Sequence, residues 1–238
     1  MLGGECPEWR RIMELPDLSA ERNEATAIIK KLLFATKNMA RPAATEIVQE
    51  FGRDPFLVLV SCILSLRTKD TVSLPASQRL FKRAKTPQDL LKISLNELAA
   101  IIYPVGFYKN KAKNLHEISR DLLARFNGQV PSTETDLLSF KGIGRKTANL
   151  VLGEGFGIPA ICVDTHVHRI SNRLGLVVTT TPEETEFALK KILPKDSWTE
   201  FNRLLVMWGQ NICVPISPFC SKCAVFDQCK RVGVTRSR

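Results

Sequence analysis

Apolar residues recur at three- and four-residue steps along most of this 238-residue chain, and this helical periodicity limits the folds that it can adopt. The pattern is clearest in segments 27–33, 56–66, 115–126 and 201–206. Proline and glycine interrupt it at Pro55, Pro87, Pro104, Gly128, Pro131, Gly142, Gly144, Pro159, Pro182 and Pro194. Because these residues end helices, the sequence predicts a mostly α protein of about ten short helices. Its length and the lack of a Gly/Ser linker predict one compact body of two interlocked lobes.

The chain carries an excess of positive charge. Its 34 Lys and Arg against 24 Asp and Glu give a formal net charge of +10 and a pI of about 9.4. Such an excess favours a polyanionic partner such as nucleic acid. No apolar run approaches the roughly 20 residues of a membrane-spanning helix, and the acidic residues near the start suit neither a signal peptide nor a transit peptide. We therefore expect an intracellular protein without a membrane partner, whose seven cysteines are thiols or metal ligands.

Four cysteines near the end of the chain follow the spacing C-x6-C-x2-C-x5-C within CVPISPFCSKCAVFDQC. They are Cys213, Cys220, Cys223 and Cys229. Thiolates this close can surround one metal centre from a single loop. Structural zinc more often uses two C-x2-C pairs, so the spacing favours an iron–sulfur cluster over zinc. The isolated Cys6, Cys62 and Cys162 are interpreted as small hydrophobes.

The segment KGIGRKTAN, residues 141–149, predicts a helix, a glycine hairpin and a second helix. Gly142 and Gly144 would let the backbone approach a phosphate, and the N–H groups of the turn and the next helix favour an anion. Such a hairpin would hold DNA by its backbone without reading bases. A nucleotide-binding P-loop is excluded, because Arg145 instead of glycine precedes Lys146 and a single residue separates the glycines.

Lys146 has two interpretations. The helix start and the neighbouring Arg145 both disfavour a further positive charge, and a neutral amine could form a Schiff base. Local sequence alone favours a phosphate contact instead. Asp164, after the apolar run AICV, is a good helix N-cap, which also places a carboxylate where it can stabilise a cation or move a proton. His166 and His168 show no metal-ligand spacing and are interpreted as solvent-facing or supporting residues.

The hairpin with its lysine, the aspartate, the cysteine loop and the basic charge occur together, and in this combination the chain closely resembles the endonuclease III family of helix-hairpin-helix DNA glycosylases. The resemblance covers about residues 54 to 229 through ILSLRTKD, IYPVGFYKNKA, KGIGRKTANLVL, VDTHVHRISNRL and the cysteine loop. It implies an all-α, two-lobed fold with a DNA groove between the lobes. Residues 48–158 would form a six-helix barrel with the hairpin, and 21–47 with 159–238 an iron–sulfur cluster lobe, after an N-terminal extension at 1–20.

The resemblance also implies an activity, that of a bifunctional DNA glycosylase and AP lyase of base excision repair. A monomer would remove oxidised pyrimidines from damaged double-stranded DNA. Lys146 would attack C1′ of the damaged nucleotide with help from Asp164, and the Schiff base would permit β-elimination 3′ of the abasic site. The implied cofactor is a [4Fe-4S] cluster on the four cysteines, with no part in the hydrolysis.

Two other functions remain open: a monofunctional mismatch glycosylase, and a helix-hairpin-helix protein that binds DNA without chemistry. Lys146 and Asp164 together favour the lyase-type enzyme over both. Adenine glycosylases of this class carry serine at the position of Lys146 and glutamate at the position of Cys62, which argues against that activity here.

Eight residues are expected to contact DNA, and two of them, Arg67 and Lys141, depart from the family pattern. The eight are Arg67, Phe107, Lys141, Gly142, Ile143, Gly144, Arg145 and His166. Arg67 stands where relatives usually carry glutamine, and we expect it to contact the orphaned base and favour lesions opposite guanine, with a phosphate contact as the alternative. Phe107 falls where relatives place an apolar wedge, with a core position as the alternative. Lys141 replaces a proline. The basic residues after Cys220 are expected either to contact phosphates or to form a solvated tail.

Overall fold

The computed structural model describes residues 18–238, and every regular element within them is helical, which confirms the all-α prediction. The α-helices are α1 Ser19–Ala35, α2 Ala43–Phe51, α3 Pro55–Ser65, α4 Asp70–Phe81, α5 Pro87–Lys92, α6 Leu95–Ile102, α7 Tyr108–Phe126, α8 Glu134–Leu138, α9 Arg145–Leu150, α10 Thr165–Leu174, α11 Pro182–Ile192 and α12 Trp198–Asn211. Helix α9 continues as a π-helical turn, Val151–Phe156, and short 3-10 turns are Lys195–Ser197, Cys220–Lys222 and Phe226–Gln228. None of these helices is long and apolar enough to cross a bilayer. Most of the extension at 1–20, and Cys6 within it, lies outside the described residues.

Local capping chemistry determines where several helices begin and end. Asp54 accepts hydrogen bonds from two backbone N–H groups at the start of α3, where Pro55 is the first residue. Thr181 and Glu184 form a capping box at the start of α11. Gly175 ends α10 in the left-handed conformation, with φ 78°. Each of these capping residues can be recognised in the sequence, so these helix ends are predictable from it.

The first of two hydrophobic cores surrounds α3. Every side chain from Phe56 to Leu64 is buried, and α2, α4, α7 and α9 with its π turn pack around this helix. A helix that is apolar on all sides is typical of such a central position. The buried members of this core run along the chain from Ile47 to Ala160.

The second core combines both ends of the described chain. It contains apolar residues of α1 between Ala25 and Leu32 and a second series between Ile161 and Val225. The chain therefore leaves this core after α1 and returns to it after the first core is complete, which explains why the sequence shows no linker. We propose that the two cores are the barrel and the cluster lobe, with α2 assigned to the barrel because Ile47 packs in the first core.

The last residues of the chain pack against the cysteine loop. The N–H of Arg238 donates to the carbonyl of Pro218 at 2.8 Å, and its guanidinium lies 3.9 Å from the centroid of the Phe219 ring. Arg231 lies 4.4 Å from the centroid of Phe226. Arg231 and Arg238 are exposed, as expected of a solvated tail, but each also has an aromatic partner in the loop.

Candidate active site

The predicted glycine hairpin forms between α8 and α9. Ile143 is buried and anchors it, and its N–H donates to the carbonyl of Phe140 at 3.2 Å. Gly142 has φ 83°, a left-handed conformation in which a side chain would be strained. Gly144, the N-cap of α9, borders open space, since a Cβ there would meet no atom within 4 Å. The turn therefore leaves room for an anion at the start of α9.

Lys146 and Asp164 line one cleft of about 700 Å³ whose walls come from both cores. The exposed side chain of Lys146 extends from the first turn of α9, and Asp164 is the N-cap of α10. Residues of α2, of the loop before α4 and of α12 complete the walls. A cleft lined by both an amine and a carboxylate is a candidate site for acid–base or nucleophilic chemistry.

Two buried amides hold Asp164 beside α9. Its Oδ1 accepts hydrogen bonds from two backbone N–H groups of α10, at 2.8 and 2.9 Å. The extended segment before it is fixed by Asn149 Nδ2, which donates to the carbonyl of Ile161 at 3.1 Å, and by Asn202 Nδ2, which donates to that of Cys162 at 2.7 Å. Capping uses Oδ1, which leaves Oδ2 for a reacting group in the cleft.

Arg145 takes a role beyond the expected one. Its Nη2 lies 2.8 Å from Glu186 Oε1 and its Nη1 lies 2.8 Å from Glu134 Oε1. The hydrogen bond to Glu186 raises the pKa of Arg145 above its ordinary value. The expected DNA contact of Arg145 stays a prediction, and these ion pairs give the residue a further, positioning role that fastens the hairpin to α8 and α11. Sequence reasoning missed it because Glu186 is 41 residues away.

Arg67 and Phe107 meet at the rim of the cleft. Arg67 is exposed, the Phe107 side chain is 60% exposed, and the guanidinium carbon lies 5.9 Å from the ring centroid. Both residues have positive φ, 52° and 58°, a conformation that is costly outside glycine and is enriched at functional positions. The exposure of Phe107 excludes the alternative that it is a core residue.

A buried lysine that sequence reasoning missed joins the loops of these two residues. Lys111 Nζ donates to two carbonyls at the end of α3, at 2.8 and 2.5 Å, and to the Thr68 hydroxyl at 3.1 Å. The same hydroxyl accepts the N–H of Gly106 at 3.1 Å. Burial lowers the pKa of Lys111 to about 8. The loops that carry Arg67 and Phe107 are therefore held together as one hydrogen-bonded unit.

The remaining predicted contacts differ in their surroundings. Lys141 is exposed, and its Nζ lies 3.3 Å from Glu117 Oε2 in a surface ion pair that a phosphate could replace. His166 lines the cleft, and its Nδ1 accepts a hydrogen bond from Arg169 Nη2 at 3.1 Å. Burial lowers the pKa of His166. The ring is therefore a neutral wall of the cleft beside Asp164.

The four cysteines of the C-terminal loop line a single cavity with mostly apolar walls. Arg173 Nη1 donates to Cys213 Sγ at 3.4 Å. In the described part of the chain, no group of three or more His, Cys, Asp or Glu side chains is arranged to hold a metal ion. Four thiols that line one cavity are a donor set of the kind that can hold an iron–sulfur cluster or a zinc ion.

Comparison with known proteins places the chain in a family. Residues 60–195 match the family described as HhH-GPD superfamily base excision DNA repair protein. Endonuclease III of Thermotoga maritima is 48% identical over 197 residues, which cover 81% of this chain and 92% of that protein. The chain belongs to the endonuclease III family. It is a DNA glycosylase of base excision repair, in accordance with the resemblance seen in its sequence.

Further comparisons extend this assignment. The endonuclease III-like protein 1 of Bos taurus is 37% identical over 219 residues, which cover 91% of this chain and 69% of that protein. A solved structure of a trapped endonuclease III–DNA covalent intermediate, an estranged-adenine complex, superposes with a TM-score of 0.77 at 32% identity, over 88% of this chain and 96% of the other. A thermostable thymine-DNA glycosylase superposes with a TM-score of 0.77 at 25% identity and covers 90% of this chain and 97% of its own.

Proposed function

We propose that this endonuclease III family member is a bifunctional enzyme that excises oxidised pyrimidines of the thymine glycol type and then cuts the strand 3′ of the abasic site. The observation that supports this proposal is that Lys146 and Asp164 line the same cleft at two helix N-termini. The relative that was trapped covalently on DNA has the same fold, which supports the lyase chemistry by analogy.

The hairpin and the rim loops would position the DNA. N–H groups at Gly142 to Gly144 and the start of α9 would bind a backbone phosphate, with Lys141 adding charge. On the opposite rim, Phe107 would enter the gap left by the flipped nucleotide and Arg67 would face the orphaned base. The damaged nucleotide would then lie in the cleft, with its sugar beside Lys146.

The chemistry follows from these positions. The Lys146 amine attacks C1′, the bond from C1′ to the base breaks, and the base leaves with a proton. Asp164 accepts a proton from the attacking amine and stabilises positive charge on the sugar. The sugar ring opens to a protonated Schiff base on Lys146. Loss of a 2′ proton then expels the 3′ phosphate, which cuts the strand by β-elimination.

A monofunctional glycosylase is the alternative, since a thymine-DNA glycosylase shares the fold. The two activities differ in their products on a duplex with one thymine glycol. A bifunctional enzyme yields a cut strand without added alkali, whereas a monofunctional one leaves an intact abasic strand that is cut only after alkali. We expect the strand to be cut without alkali, at the same rate as the base is released. An abasic product that stays intact would contradict the proposed function.

We further propose that Cys213, Cys220, Cys223 and Cys229 hold a [4Fe-4S] cluster. Bound there, it would supply four iron–thiolate bonds that cross-link the loop. The purified protein is then expected to be coloured and to contain about four iron atoms per chain. Cys223→Ser should lose colour and iron, whereas Cys62→Ser, a change at a buried cysteine outside the loop, should keep both. A colourless protein that contains zinc would contradict this proposal.

Arg67 is expected to set the preference for the opposite base. A bidentate contact to guanine should make excision opposite guanine about tenfold faster than opposite adenine. Single-turnover rates on the two duplexes should become similar in Arg67→Gln. Lys69→Gln, which removes one charge from the same loop, should slow excision on both duplexes equally. Equal rates on both duplexes in the wild type, unchanged by Arg67→Gln, would show that Arg67 does not read the base.

A further inference from the structure

A second carboxylate, one that the proposed chemistry does not use, lies in the same cleft. Glu154 is 1% exposed, yet it lines the cleft together with Lys146 and Asp164. A buried carboxylate is costly unless it is paired, and one at a cleft wall can also serve a ligand. Its surroundings show what kind of ligand could use it.

The backbone around Glu154 is tightly packed. It lies in the π-helical turn that extends α9, and such turns are often found at functional sites. Its two neighbours are glycines that touch other helices. A Cβ at Gly153 would come 2.8 Å from Thr199 Oγ1, and one at Gly155 would come 2.9 Å from the Cα of Pro55. The turn is therefore packed tightly between α3 and α12, which leaves the Glu154 side chain little freedom.

Arg203, which is not among the residues that line the cleft, holds the carboxylate in a bidentate ion pair. Its Nε and Nη2 donate to Oε1 and Oε2 of Glu154, each at 2.6 Å. Arg203 and Glu200 line a separate cavity, whereas Glu154 lines the cleft. The Thr45 hydroxyl donates weakly to Oε1 at 3.4 Å. A carboxylate has about four lone-pair sites, so a bidentate arginine leaves acceptor capacity for a further donor.

We propose that Glu154 binds the flipped-out base by accepting a hydrogen bond from its N–H edge. An anchored carboxylate with no proton to donate selects bases that present a donor, such as the N3–H of a uracil-type ring. A flipped base is usually read at this Watson–Crick edge. The inference rests on the proposed function, because it assigns the partner of the base within the same cleft.

The alternative is that the Glu154–Arg203 pair only joins α9 to α12. A structural pair would support every activity of the enzyme to the same extent. A base-reading residue would support excision but not cleavage at a preformed abasic site, which has no base. The two roles therefore separate when both reactions are measured on one variant.

Glu154→Gln is the informative variant. Both oxygens of Glu154 accept from Arg203, so the NH2 group of glutamine faces an Arg203 donor in either amide orientation, and the variant loses both the charge and one acceptor. We expect kcat/KM for excision of dihydrothymine to fall about 10- to 100-fold, the scale of a lost charge-assisted hydrogen bond. Cutting of a preformed abasic site should stay within about twofold. Glu200→Gln, which removes the other partner of Arg203 outside the cleft, should leave both rates unchanged.

A substrate change tests the same contact in the wild type, including the case in which the variant does not fold. Methylation of N3 on dihydrothymine removes the donor, so the wild type should excise this analogue about 10- to 100-fold more slowly than dihydrothymine. Equal rates on both bases, or a parallel loss of excision and abasic-site cutting in Glu154→Gln, would overturn the proposal. A wild type that fails to cut abasic DNA would instead contradict the proposed function.

Discussion

Lys146→Gln is expected to lose strand cutting and covalent capture by borohydride, on DNA with thymine glycol and on DNA with an abasic site. Glutamine keeps a polar side chain, one atom shorter than that of lysine, but has no nucleophilic amine, so a Schiff base cannot form. The rate should fall roughly a thousandfold or more, as when other enzymes lose their nucleophile. The measurement is the fraction of labelled DNA that migrates as a protein adduct after reduction.

A charge-matched control separates nucleophilicity from binding. Lys141→Gln removes one positive charge from the same hairpin, in which Lys141 is exposed and paired with Glu117. It should weaken DNA binding modestly and still be trapped at saturating protein. An adduct as strong in Lys146→Gln as in the wild type would remove Lys146 from the mechanism.

Asp164→Asn is expected to slow base excision by about 10²- to 10⁴-fold, the contribution typical of a positioned acid or base. Asparagine caps helices as well as aspartate does, so the hydrogen bonds from α10 to Oδ1 can be kept. The variant therefore loses the charge and the proton acceptor while the fold is preserved. Single-turnover excision rates and thermal unfolding, measured on the same preparation, separate the two effects.

Asp54→Asn provides the matched control for helix capping. Asp54 caps α3 with the same pattern of two N–H groups, at 2.8 and 3.1 Å. Its substitution should leave excision unchanged. If Asp164→Asn excises at the wild-type rate, or if both variants lose activity together, then Asp164 acts only as a helix cap.

The sequence predicted the parts of the site that depend on short segments. The hairpin glycines, the lysine in the first turn of α9 and the N-cap aspartate can each be recognised from neighbouring residues in the sequence. The cysteine spacing likewise predicted that four thiols would share one cavity. These features need only backbone geometry and capping, which adjacent residues determine.

Contacts between distant segments were not predictable in this way. Arg145 seemed free for DNA because Glu186 and its helix lie far along the chain. Lys111 looked like one more basic residue of α7, and only the folded chain shows its amine buried against the end of α3. Glu154 similarly gave no signal beyond its position between two glycines, since its partner Arg203 is 49 residues away.

The central claim, that Lys146 is the nucleophile, is tested most directly by identifying the residue to which DNA becomes attached. The borohydride-reduced complex of the wild-type protein with abasic DNA can be digested with protease and nuclease, and the modified peptide sequenced by mass spectrometry. The sugar remnant is expected on Lys146, within the hairpin segment KGIGRKTAN. A remnant on Lys111, on Lys141 or on any other amine, with Lys146 unmodified, would contradict it.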